Sequence, residues 1–66
     1  MATITQQYDA KIKLAAVERE LRFRERVYPR QIEMGHITDG FAATQISIFK
    51  AIAEDYREQA EKERLI

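Results

Sequence analysis

The chain has 66 residues, 45% hydrophobic and 33% charged, with eleven basic and eleven acidic side chains and a formal net charge of zero. That length allows one domain, spanning 1–66, whose small buried core leaves its stability marginal without a staple or a partner. No Cys and a single His exclude disulfides, thiolate metal sites and multi-histidine sites, and zero net charge supplies no long-range field toward DNA or a membrane.

The first predicted element is a helix from about Thr5 to Val27, with Thr3 and Thr5 as candidate N-caps. Residues 1–7 lack the charged region and apolar core of a signal peptide. No apolar run reaches bilayer length, so a cytoplasmic protein without a membrane partner is expected. Ala10, Leu14, Val17, Leu21 and Tyr28 share one face of the helical wheel. Ile12, Ala16, Phe23 and Val27 share a second, with Lys13, Glu20 and Arg24 between the two. A helix with two apolar faces needs more than one partner surface.

Five arginines, Arg19, Arg22, Arg24, Arg26 and Arg30, fall within twelve residues of this stretch. Arg19, Arg22, Arg26 and Arg30 follow one another at intervals of three, four and four, which aligns them along one helical flank. Glu18 can pair with Arg22, Glu20 with Arg24 and Glu33 with Arg30, whereas Arg19 and Arg26 have no acid three or four residues away. Such a flank suits phosphate or an acidic protein surface. The plainer reading is a solvated face near a helix C-terminus, where cations are favoured in any case.

Pro29 removes a backbone donor and pushes Tyr28 away from helical geometry, so a break or kink is expected there. Arg30 to Met34 can add a further turn or two, and Gly35 reads as a left-handed terminator before the connector His36-Ile37. His36 and Asp39 alone are too few for a metal site. Thr38 is the strongest N-cap in the chain, with Asp39 in the first turn of a helix expected to run to about Glu63.

On that last helix Ala42, Ile46, Phe49, Ala53, Tyr56 and Ala60 alternate four and three apart, the spacing of a coiled-coil seam. Phe41, Ile48 and Ile52 widen the apolar arc beyond the ~100° stripe that a surface helix needs. The acidic run Glu54, Asp55, Glu58, Glu61 and Glu63 reads as a solvated face lying beside Lys11 and Lys13. No serine or cysteine nucleophile is arranged with His36, and no glycine-rich phosphate loop is present. Neither an enzyme nor a cofactor is expected.

A short connector makes the long helices antiparallel neighbours. Folding about His36 sets Phe49 near Phe23, Ala53 near Arg19 or Glu20, and Tyr56 near Ala16. The expected fold is all-α: an antiparallel helical hairpin with a Pro-marked break. A single hairpin cannot cover both broad apolar surfaces, so it is expected to dimerise into a four-helix bundle. Leu14, Val17, Leu21, Phe23, Tyr28, Phe41, Ile46, Phe49, Ile52 and Tyr56 would form its core or oligomer seam.

Glu18-Arg19-Glu20-Leu21-Arg22, Val27-Tyr28-Pro29-Arg30, Gly35-His36-Ile37-Thr38 and Ala51-Ile52-Ala53-Glu54-Asp55-Tyr56 together resemble a group of small, largely uncharacterised phage- and prophage-encoded helical proteins. Those share an arginine-rich helix, a Val-Tyr-Pro step and a Gly-x-Ile/Met-Thr connector. The resemblance spans more than half the chain and implies an accessory gene product acting in a bacterial host by binding a host or phage macromolecule. It carries over no catalytic or binding residue. The hairpin shape is also similar to the helical-hairpin dimer that binds paired RNA in plasmid copy control, though no motif is shared and fold does not fix function. The expected activity is non-catalytic binding of a protein through Arg19, Arg22, Arg26 and Arg30, with a nucleic acid as the alternative target.

Overall fold

A computed structural model describes residues 8–65 as two helices, α1 (Ala10–Glu33) and α2 (Asp39–Arg64), joined by a four-residue turn with one further residue, Thr38, capping α2. The pairing of levels fixes their direction. Ala10 meets Glu63, Glu18 meets Arg57, and Arg24 meets Phe49. Residue numbers rise on one helix as they fall on the other, so the hairpin is antiparallel. Among the described residues no helix is long and apolar enough to cross a membrane.

The caps are where local sequence acts most directly. Asp9 is the N-cap of α1, and its carboxylate accepts from the Ile12 N–H at 3.0 Å. The helix thus starts later than Thr5; Thr3 and Thr5 lie outside the described residues. No acid occupies the first turn. Glu63, from the far end of the chain, takes that place and accepts from the Ala10 N–H at 3.1 Å. A carboxylate there satisfies an orphan donor and complements the positive end of the helix dipole. Thr38 caps α2 as expected, its hydroxyl accepting from the Phe41 N–H at 3.0 Å.

α1 does not stop at Val27. It continues through Pro29 to Glu33, and the turn expected as a separate piece belongs to the same helix. Pro29 lies close to the C-terminus, where its missing N–H costs one bond, to the Glu25 carbonyl. Both Glu25 and Pro29 are exposed, so water can take over that acceptor. The end itself is locked by a Schellman pair: Gly35 N–H donates to the Ile32 carbonyl and His36 N–H to the Gln31 carbonyl, both at 2.9 Å. Gly35 has φ of 78°. A Cβ there would meet nothing within 4 Å, so Gly35→Ala carries a purely backbone penalty of about 1 kcal/mol. Thr38→Ala removes a cap and costs about as much, ~1 kcal/mol. Urea denaturation of the two variants should show midpoints lowered to a similar degree.

The seam of α2 packs as its spacing predicts: Ala42 and Ala53 are buried, and Ile46, Phe49, Tyr56 and Ala60 half-buried. Against them α1 sets Ala10, buried, with Leu14, Val17, Leu21 and Tyr28 half-buried. Phe23 and Phe41 stay outside this packing, 49% and 50% exposed. Among the described residues the buried ones are three alanines, and no large side chain is completely covered. A layer of two helices has no interior of its own, so the larger apolar side chains keep part of their surface in solvent.

Candidate functional site

The strip between the two apolar faces of α1 turns inward. Arg24, half-buried, lies with its guanidinium carbon 4.3 Å from the centre of the Phe49 ring, in the place where Phe23 was expected. Its Nε donates to Glu20 at 2.8 Å, the pair foreseen from the i,i+4 spacing, and its Nη1 donates to the Tyr28 hydroxyl at 2.6 Å. The bond to Tyr28, ahead of that to Glu20, raises the Arg24 pKa. Charged over an aromatic face and held by two acceptors, Arg24 is a structural arginine. Lys13 makes a looser version of the same contact, its Nζ 5.7 Å from the Tyr56 ring centre, where Ala16 was expected.

Glu18 does not pair with Arg22. It accepts from Arg57 of α2 at 3.0 Å, and Arg57 also donates to Glu54 at 2.6 Å. These bonds, Glu18 first, raise the Arg57 pKa. A cross-helix partner that meets a second acid outcompetes a neighbour on the same exposed face. Arg64 pairs with Glu61, so both α2 arginines are neutralised locally.

The remaining arginines are not. Arg19, Arg22, Arg26 and Arg30 are all exposed, and none forms an ion pair with a described residue. They occupy the outer back of α1, turned away from α2. Arg30 sits in the last turn, where the helix dipole favours a cation. Arg26 lies over the exposed ring of Phe23, 5.5 Å from its centre. Arg19, Arg22 and Arg26 together with Glu20 and Phe23 line a shallow hollow in the surface. Chemically this is a row of planar, multi-donor cations beside one aromatic face, suited to carboxylates or phosphates at its centre and apolar contact at its edge.

His36 stays in the connector, its Nδ1 3.1 Å from the Gln31 side-chain oxygen. Among the described residues no three His, Cys, Asp or Glu side chains gather as they would around a metal ion. Comparison with family models, curated proteins and solved structures gives no match.

Proposed function

We propose that this chain is a non-catalytic binding protein, of the accessory kind carried by phages and prophages, that engages an acidic surface on a host or phage protein. It would do so as a homodimer, in the cytoplasm of a bacterial host. The observation that carries the reading is the row of four exposed arginines without ion-pair partners among the described residues. Elsewhere in the hairpin, Arg24, Arg57 and Arg64 each have an acid. Neighbouring Arg22 and Arg26 repel each other in the free protein, and an acidic partner relieves that repulsion on binding. The phage assignment is supported by the motif resemblance alone.

Exposed charge pairs are individually weak. Affinity therefore needs several arginines of the row acting together. The protein as bait in a bacterial lysate should capture an acidic protein, with Arg22→Glu/Arg26→Glu losing the capture by at least about tenfold while its circular dichroism stays helical. Capture that survives the charge reversal overturns the arginine assignment. Capture that nuclease abolishes, with affinity falling steeply as salt rises, transfers the flank to a nucleic-acid target.

A further inference from the structure

The two broad sides of the hairpin differ in chemistry. One side is defined by the Glu18–Arg57 ion pair. It carries Glu25, Lys50 and Glu54 as well, and an open groove near the turn lined by Tyr28, Pro29, Ile32 and Ile46. The other side is defined by the two rings that receive cations, Phe49 and Tyr56. Outward from those rings it presents Phe23 and Val27 of α1 beside Phe41, Gln45, Ile48 and Ile52 of α2. Phe23, Phe41 and Ile48 are 49%, 50% and 45% exposed. The charge on this side near the patch is the Arg24–Glu20 pair, which is neutralised within itself and lies with Arg24 over the Phe49 ring.

We infer that a second copy of this chain stacks on the Phe23–Phe41–Ile48 face, with the two turns at the same end of the bundle. The inference rests on the dimeric reading above and adds the face and the direction. The area fits: helices of 24 and 26 residues are about 36–39 Å long and lie about 20 Å wide when abreast, so each side offers about 700–800 Å². One partner in a standard interface contributes about 800 Å².

Charge selects the direction. A two-fold axis parallel to the helices places α1 of one copy across from α2 of the other at the same height as within the hairpin. Asp55 of one copy then lies level with Arg19 of the other, since Arg57 is level with Glu18. Asp55 is exposed and has no ion pair among the described residues. An axis across the helices instead sets α1 against α1, bringing two arginine rows along one edge, where like charges oppose association. The apolar patch also lies in the half of the hairpin nearer the turn, so only the same-end arrangement overlays patch on patch along the full length. Arg22, Arg26 and Arg30 stay at the rim, exposed in both copies.

Sedimentation equilibrium and interspin distances test this on the full chain. Ile48→Glu should raise the dimer dissociation constant by at least about 100-fold, and Ser47→Glu, one residue away on the groove side, should leave it within a few-fold. The chain has no Cys, so His36→Cys takes a single spin label in the exposed connector. Labels closer than about 30 Å are expected; a separation near a helix length, ~40 Å or more, overturns the same-end stacking. A dimer insensitive to Ile48→Glu but dissolved by Ser47→Glu overturns the face and leaves the dimeric reading standing. A monomeric wild-type chain overturns both.

Discussion

Phe49→Ala is expected to unfold the protein at room temperature or leave it at the edge of unfolding, while Glu58→Ala is nearly silent. Phe49 fills the centre of the α2 seam and is half-buried. Truncating a core Phe costs about 3–5 kcal/mol, and partial exposure puts this site at the low end, ~3 kcal/mol. The loss goes beyond area. Arg24 rests its guanidinium on the Phe49 ring, and removing the ring leaves that cation beside a void with only Glu20 and Tyr28 to hold it. A hairpin whose buried residues, among those described, are three alanines has little else to fall back on. Glu58 lies on the exposed outer side of α2, where substitutions usually stay within about ±0.5 kcal/mol. Denaturation midpoints of the two variants decide the matter. Equal midpoints would mean that the seam of α2 does not hold the hairpin together.

Glu20→Gln removes the ion pair and leaves Arg24 on the ring, whereas Arg24→Met removes both, so the difference between their denaturation midpoints reads the ring contact together with the Tyr28 hydrogen bond. Residues that act within one turn of themselves can be read directly: Gly35 as terminator, Thr38 as cap, Glu20 with Arg24, and the four-three alternation from Ala42 to Ala60. Each depends on neighbours a few positions away, so spacing is sufficient evidence. The start of α1 is less legible because Thr3, Thr5 and Asp9 are all competent caps, and which one acts depends on where α2 ends. Glu63 settles that by reaching the Ala10 N–H across the hairpin, a contact spanning nearly the whole chain. Glu18 is misread for the same reason: its i,i+4 partner Arg22 is available, but Arg57 meets it from the other helix. Pro29 misleads in the opposite sense. Its penalty is real in a helix interior, yet near an exposed C-terminus it amounts to a single hydrated carbonyl. For the candidate site, the arginine spacing alone places Arg19, Arg22, Arg26 and Arg30 on one flank. That Arg24 leaves the cluster to pack on Phe49 needs the second helix to be in position.

Thermal stability should rise with protein concentration, by about 5 °C for each tenfold increase. The expectation follows from the hairpin's construction. Its two helices cover one another along one seam, leaving Ile12, Phe23, Phe41 and Ile48 between 45% and 51% exposed. Domains of this size rarely reach more than about 3–5 kcal/mol from a single core, and this one has no interior layer to supply it. Covering the apolar side with a second copy joins folding to association, so that mass action enters the melting temperature. Tenfold in concentration is worth about 1.4 kcal/mol in free energy. Spread over the unfolding entropy of two chains at about 2.1 cal/mol/K per residue, that gives the shift of about 5 °C. Circular dichroism melts from about 2 to 200 μM would cover two such steps. A melting temperature that stays fixed across that range, with a monomer mass by sedimentation, would show that the hairpin is stable alone and that its exposed apolar side awaits a different partner.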